Sequence, residues 1–151
     1  MTKEEIIRYI SLKYQGLNVT EAYLEKTFFY NPEMKLPRGI YFATLKEVDG
    51  PNDKSSNLNR DGVFRLSIGI GDKEYLKLFG QRPKRPTKGK IIDGNWDFCE
   101  LNILTPHPIY GWLGWVAINN PQEENLIKAF ELIDIAYSNA VLKFNKRKEI
   151  K

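Results

Sequence analysis

With 151 residues, 42% of them hydrophobic and 28% charged, the chain has the size and composition of one globular domain, which excludes disorder along its whole length. A single cysteine, Cys99, and a single histidine, His107, exclude an internal disulfide and a zinc site built from Cys and His. The net charge of +4 is unevenly distributed along the chain. Residues 82–90 contain five cations and no acid, and residues 143–151 contain five cations and one acid.

The first predicted element is a helix that begins after Thr2. Thr2 and Glu5 have the spacing of a capping box, in which each side chain binds the backbone amide of the other residue. An apolar face follows at helical spacing, and Gly16 ends the helix. This face consists of Ile6, Ile7, Ile10 and Tyr14.

Three runs of β-forming residues predict strands at 27–30, 40–46 and 63–70, with a solvated loop at 49–59. In the third run, a period of two places one set of residues on the core face. This set is Phe64, Leu66, Ile68 and Ile70, which alternates with Val63, Arg65, Ser67 and Gly69. Asp72 is then expected to cap a short helix that ends at Gly80.

The last third of the chain predicts two further strands and a long helix. One strand is expected within 96–104 and the other at 109–118, after the stiff turn 105–108. Asn120 is the predicted N-cap of the helix, with Pro121 at its first position and Glu123 completing the capping box. The apolar stripe of this helix is Leu126, Phe130, Ile133, Tyr137, Val141 and Phe144.

Together these elements predict a single α+β domain over residues 1–151, with a basic C-terminal tail from about residue 145. Strands follow one another and helices lie at both ends, which favours a mostly antiparallel sheet with helices packed on one face. No stretch approaches the roughly 18 apolar residues of a membrane span. The charged start lacks the apolar run of a signal peptide, so the predicted location is cytoplasmic.

The first candidate site is the Pro-rich segment 81–94. Pro83 and Pro86 disfavour a helix there. Closely spaced cations without acids are typical of a surface that contacts phosphates, although they also occur in solvated loops whose charges aid solubility. The candidate nucleic-acid-binding residues are Arg82, Lys84, Arg85, Lys88 and Lys90.

The second candidate site lies around His107. Two prolines fix the backbone of this histidine, and aromatic residues follow closely, which is the mixture that lines small-molecule pockets. The alternative is a structural histidine in a turn. The candidate pocket residues are His107, Tyr110, Trp112, Trp115, Arg60 and Arg65.

Two stretches, 58–71 and 106–115, resemble an uncharacterised family of bacterial domains. The strand 115–118 and the helix carrying Ala136-Tyr-Ser138 look like the C-terminal half of MmcQ/YjbR-like proteins. This resemblance implies an α+β fold with helices packed on a sheet, a shape that has been compared with double-wing DNA-binding domains. Gly114 stands where the YjbR pattern has a histidine before the strand tryptophan, so no histidine role is carried over.

The sequence shows no recognisable catalytic machinery. It has no Gly-x-Ser-x-Gly motif, and Glu74 stands where a dinucleotide-binding turn at Gly69-Ile-Gly71 requires its third glycine. No catalytic residue, metal or cofactor is therefore predicted. The leading hypothesis is a non-enzymatic binding domain with weak nucleic-acid contact. The alternatives are a small-molecule or minor enzymatic pocket around His107, and homodimerisation through exposed aromatic surface.

Overall fold

In the computed structural model, which describes the backbone of residues 1–150 and the side chains of residues 1–147, six strands form one antiparallel sheet. The strands are β1 (Leu17–Ala22), β2 (Glu25–Tyr30), β3 (Ile40–Lys46), β4 (Arg65–Gly69), β5 (Leu104–Pro106) and β6 (Trp115–Asn119), in the spatial order β1-β2-β3-β4-β6-β5. The helices are α1 (Lys3–Lys13), α2 (Gly71–Phe79) and α3 (Glu123–Ile150). The predicted α+β class, with an N-terminal and a long C-terminal helix, is confirmed.

The core lies between one face of the sheet and the helices. Ile6 and Ile10 of α1 and Leu132 of α3 are fully buried against Phe42 and Leu66 of the sheet. The predicted alternation in the third strand is confirmed, because Phe64, Leu66, Ile68 and Ile70 all belong to this core. The capping box of α1 is also present. No helix among the described residues combines the length and the apolar character that crossing a bilayer requires.

A β-bulge in β3 decides which of its residues face away from the helices. Phe28 pairs with Ala43 and Phe29 with Tyr41, which leaves Phe42 as the extra residue. Phe42 and Ala43 therefore both face the core. Beyond the bulge, Tyr41 turns to the opposite face of the sheet.

Three strands differ from the sequence-based expectation. The strand predicted within 96–104 is wrong except at its last residue, because β5 begins only at Leu104. The preceding residues are held by single contacts with Asn119, whose Nδ2 donates to the carbonyls of Phe98 and Glu100 at 2.8 and 3.2 Å and whose carbonyl accepts from the Asn102 N–H at 2.6 Å. The strand predicted at 109–118 is shorter, since residues 111–113 form a 3₁₀ turn and Gly114, with φ +82°, leads into β6. The sequence does not predict β1, because its residues are mostly exposed and carry no apolar alternation.

Two predicted helix caps have other roles. Helix α2 begins at Gly71, and Asp72 forms an ion pair with Arg82 at 2.7 Å. Asn120 joins the ends of neighbouring segments, because its Oδ1 accepts from the backbone N–H of Phe64 and its Nδ2 donates to the carbonyl of Gly62. Helix α3 continues through Ile150, so residues 145–150 of the predicted tail are helical, and Lys151 lies outside the described residues.

Candidate ligand-binding groove

A groove of about 1250 Å³ lies on the sheet face opposite the helices. Its floor consists of side chains of β2, β3, β4 and β6, and its walls include residues 36–39, 50–53, 85–90 and 107–112. Ligand pockets usually enclose about 300–1,000 Å³. This sheet groove therefore has room for a small organic ligand and the water around it.

Three rows of chemically different side chains cross the floor of the sheet groove. Strand pairing places them side by side, because residues paired across neighbouring strands lie on the same face. The charged row is Glu25, Lys46 and Arg65, and the hydroxyl row is Thr27, Thr44 and Ser67. The aromatic row is Phe29, Tyr41 and Trp115. The ring of Trp115, on β6, lies over Gly69 of β4 and so reaches Tyr41 on β3. Successive rows are two residues apart on β2 and β4, which corresponds to roughly 7 Å.

The charged row contains a buried ion cluster centred on Asp53. Arg65, only 1% exposed, donates from Nη1 to Asp53 Oδ1 at 2.9 Å and from Nη2 to the other carboxylate oxygen. Lys46 Nζ lies 3.2 Å from Asp53 Oδ2. Burial opposes ionisation of Asp53, but hydrogen bonding to Arg65 and the charges of Arg65 and Lys46 outweigh it and hold the pKa of Asp53 below 3.8. Lys46 and Arg65 share the carboxylate of Asp53, and Glu25, the register partner of Lys46, is the second carboxylate of this row, so its four charges balance.

Two polar atoms of the floor have no hydrogen-bond partner among the described residues. Arg65 Nε and Ser67 Oγ are both inaccessible to solvent and unpaired, and Ser67 is 1% exposed. An unpaired buried polar group costs about 1–3 kcal/mol. The floor is therefore not optimised for stability alone at this point, where the charged and hydroxyl rows meet.

Replacing Ser67 with Ala is expected to raise the free energy of unfolding by about 1 kcal/mol, because it removes an unpaired buried hydroxyl. Ser56→Ala is the matched control. Ser56 is equally buried, but its Oγ accepts from Arg65 Nη1 at 3.0 Å, so its loss should lower the free energy of unfolding by about 2 kcal/mol. Urea denaturation of both variants measures the difference, and changes of the same sign in the two would contradict this account.

His107 lies at one wall of the sheet groove and is 3% exposed. Its Nδ1 accepts hydrogen bonds from the backbone N–H groups of Ile109 and Tyr110, both at 3.1 Å. Burial, reinforced by the charges of Arg65 and Lys46 and opposed by Asp53, lowers the pKa of His107 well below 6.5. The ring is therefore neutral at pH 7 with its proton on Nε2, and its Nδ1 has a structural role in the turn.

The aromatic row presents open ring surface. Tyr41 stacks on Trp115 with 5.1 Å between ring centroids, and Phe29 meets Tyr41 edge-on at 5.9 Å. Gly69 makes this possible, because a Cβ at this position would lie 2.8 Å from the Trp115 ring. Trp115 is 9% exposed but Tyr41 is 49% exposed. Burial, together with the neighbouring Tyr110, raises the pKa of Tyr41, so its hydroxyl stays protonated.

The structure places the five predicted nucleic-acid-binding cations in different settings. Arg85, Lys88 and Lys90 line the sheet groove, and Arg85 lies over the ring of Trp112 at 4.8 Å. Arg82 is paired with Asp72 outside the groove lining, and Lys84 is exposed beside the same segment. The basic segment and the candidate pocket therefore meet at one site.

Most of the predicted pocket residues also line the sheet groove. His107, Tyr110, Trp112, Trp115 and Arg65 are among them. Arg60 is not, because its guanidinium donates to backbone carbonyls, including that of Cys99 at 2.8 Å. Sequence reasoning missed seven lining residues, which are Lys46, Asp53, Thr27, Thr44, Ser67, Phe29 and Tyr41. The signal that could have found part of this site was Arg65 within a strand that has a buried core face, because a buried arginine requires an acidic partner.

The groove lining is strongly cationic. Among the described residues it contains seven cationic side chains and two carboxylates, Glu25 and Asp53. The cations are Arg38, Lys46, Arg65, Arg85, Lys88, Lys90 and Arg147. In the described part of the chain, no group of three or more His, Cys, Asp or Glu side chains is placed to hold a metal ion. The lining therefore suits an anionic ligand better than a cation.

The profile of a family of unknown function, DUF6194, matches residues 1–149. Neither curated proteins nor solved structures gave a significant match. The predicted resemblance to an uncharacterised family is confirmed at this level, whereas the MmcQ/YjbR-like relationship and the bacterial origin stay predictions.

Proposed function

The chain belongs to the DUF6194 family, whose function is unknown, and we propose from the sheet groove that it is a binding domain for a small organic anion that carries a planar apolar part. The observation that carries this proposal is the composition of the groove lining, with seven cations, two carboxylates and an aromatic row in one concave site. Pockets that combine apolar walls with a few convergent polar groups are typical ligand sites.

The charge of the whole lining supports an anion as the ligand. Lys46, 14% exposed at its side chain, and Arg65, 1% exposed, share the carboxylate of Asp53, and Glu25 is the register partner of Lys46. The excess positive charge of the groove therefore comes from the remaining cations of the lining, which are Arg38, Arg85, Lys88, Lys90 and Arg147. An anion in the groove would offset this excess.

Nucleic-acid contact is a second candidate, supported by the exposed position of Lys84, Lys88 and Lys90 on one basic segment. The small anion is favoured over a duplex because Arg85, Lys88 and Lys90 also line the concave site. Homodimerisation and cytoplasmic location stay predictions from the sequence.

Isothermal titration calorimetry with indole-3-acetate and its uncharged amide tests the proposal. The acid is expected to bind more tightly than the amide, and Lys46→Met is expected to weaken binding of the acid at least about tenfold, or 1.4 kcal/mol. Lys77→Met is the matched control, because it removes the same charge from an exposed position on α2 outside the groove lining. Affinity for the acid should also fall with added salt.

Equal binding of the acid and the amide, or an equal effect of the two lysine variants, would contradict the proposal. A short DNA duplex, added as a competitor at low salt, addresses the second candidate. Displacement of the acid by the duplex would favour nucleic acid as the ligand, and its absence would leave the small anion.

A further inference from the structure

We infer that the ligand of the sheet groove is a nucleoside phosphate, held with its base at the aromatic row, its sugar at the hydroxyl row and its phosphates at the charged row. This inference rests on the proposed function and deepens it by naming the class of anion. It is independent of the turn at Gly69-Ile-Gly71, where Gly69 makes room for the Trp115 ring.

The order of the rows carries the inference. Along β2, the groove-facing residues are Glu25, Thr27 and Phe29, and along β4 the charged Arg65 and the hydroxyl-bearing Ser67 precede Gly69 beneath Trp115. The charged and aromatic rows are thus four residues apart, or roughly 13 Å. A nucleoside phosphate has the same sequence of parts, namely an aromatic ring, a sugar with hydroxyl groups, and then phosphates.

The aromatic end can hold a base by stacking. The Tyr41–Trp115 pair is fixed over Gly69, and Tyr41 leaves about half of its surface open, at 49% exposure. Tyr110, 48% exposed, lies at the same end, and the Trp112 ring is covered by Arg85. Every base has a π face, so such a platform binds bases without strong preference among them.

The hydroxyl row matches the sugar. Thr27, Thr44 and Ser67 are paired in register across three strands, and each hydroxyl is both a donor and an acceptor, as sugar hydroxyls are. Ser67 Oγ has no partner in the part of the chain that the structure describes, and it lies between the charged and aromatic ends. A small shift of the floor on binding would let a ligand hydroxyl pair with it.

The charged end collects cations from the floor and from the basic segment. Lys46 and Arg65 lie at this end beside Asp53, with Glu25 as the second carboxylate of the row. Gly89 approaches Asn52, the residue before Asp53, since a Cβ on Gly89 would lie 3.9 Å from Asn52 Oδ1. Lys88 and Lys90 flank this glycine and line the groove, so cations converge on the end of the site where phosphates are placed.

Calorimetric titration with adenosine, AMP, ADP and inorganic pyrophosphate as probes tests the inference. ADP is expected to bind at least tenfold more tightly than either adenosine or pyrophosphate. Lys46→Met should reduce the preference for ADP over adenosine, measured as the ratio of their affinities, at least fivefold. Lys77→Met is the control and should leave this ratio unchanged. Tyr41→Leu should weaken ADP and adenosine by similar factors and leave pyrophosphate unaffected; the matched control is Tyr23→Leu, a tyrosine 95% exposed outside the groove lining.

The results separate this inference from the proposed function. If indole-3-acetate binds in a Lys46-dependent manner while ADP binds no better than pyrophosphate, the anion site stands and the nucleoside phosphate is overturned. If Tyr41→Leu weakens pyrophosphate as much as ADP, the assigned orientation is overturned. If neither indole-3-acetate nor any of the nucleotides binds, both the inference and the proposed function fail.

Discussion

Replacing Asp53 with Asn is expected to lower the free energy of unfolding by about 3–5 kcal/mol, the usual effect of removing one partner from a buried ion pair. Asp53 is the only carboxylate within ion-pairing distance of Arg65 and Lys46 among the described residues, and Arg65 is 1% exposed. The substitution keeps the size of the side chain but leaves Arg65 and Lys46 without a carboxylate of the described residues within ion-pairing distance. Chemical denaturation at pH 7 measures the loss.

Asp72→Asn is the control for this prediction. It removes the same charge from an ion pair with Arg82 whose side chains are 60% and 40% exposed, where about 1 kcal/mol or less is expected. If Lys46→Met is added to Asp53→Asn, part of the loss should return, because one of the two uncompensated cations is removed. Similar losses for Asp53→Asn and Asp72→Asn would show that the buried cluster does not stabilise the fold.

The free energy of unfolding should also depend on Asp53 at acidic pH. The pKa of Asp53 is held below 3.8, so the unfolded chain takes up this proton at a higher pH than the folded one. The contribution of Asp53 to the free energy of unfolding is therefore fully present above about pH 4 and is lost as the pH falls below that value. In Asp53→Asn, stability should decline less steeply in this range.

The fold was largely predictable because its elements have strong local patterns. The capping box at Thr2 and the apolar stripe of α3 specify their helices, and the alternation through Leu66 and Ile68 specifies a strand with one core face. The elements that were missed depend on partners distant in the chain. Asn120 has the sequence features of a helix cap, yet its amide group bonds to Phe64 and Gly62.

The candidate site was predictable only in part, for a related physical reason. Aromatic and cationic residues attract notice in a sequence, and those around His107 and Arg85 do line the sheet groove. Thr44 and Lys46 resemble ordinary solvent-facing residues, because alternation shows which residues leave the core but not what covers the opposite face. The bulge at Phe42, which turns Tyr41 toward the groove, has no signature in the sequence.

The loop at 49–59 illustrates how composition can mislead. Its glycine, proline and polar residues predict a solvated loop, and it contains no regular strand or helix. It is nevertheless folded onto the sheet, because Asp53 and Ser56 both bind Arg65. A buried arginine thus organises a segment that local sequence leaves undetermined, and it places a charged cluster on the floor of the groove.

Replacing His107 with Gln is expected to lower the free energy of unfolding by about 2–3 kcal/mol, whereas Asn should retain most of it. His107 Nδ1 accepts from two backbone donors, at Ile109 and Tyr110, and each donor left unpaired costs about 1–3 kcal/mol. The Oδ1 atom of Asn occupies nearly the position of Nδ1 and can accept both bonds, as in other turns capped by Asn. Gln places its oxygen near Nε2 instead. Thermal or urea denaturation of the two variants at pH 7 distinguishes them.

The pH dependence of stability provides the second test of His107. Its pKa is lowered because burial and the charges of Arg65 and Lys46 disfavour the protonated ring, against the opposing effect of Asp53. As the pH falls, the unfolded chain therefore takes up this proton at a higher pH than the folded chain. The contribution of His107 to the free energy of unfolding is fully present above about pH 6.5 and falls with acidification, by up to about 1.4 kcal/mol per pH unit. His107 is the only histidine, so His107→Asn should flatten the decline between about pH 5 and 6.5 while leaving the loss below pH 4 that belongs to Asp53. An unchanged decline in His107→Asn would mean that another group titrates there and that His107 is not held neutral by the cations of the groove floor.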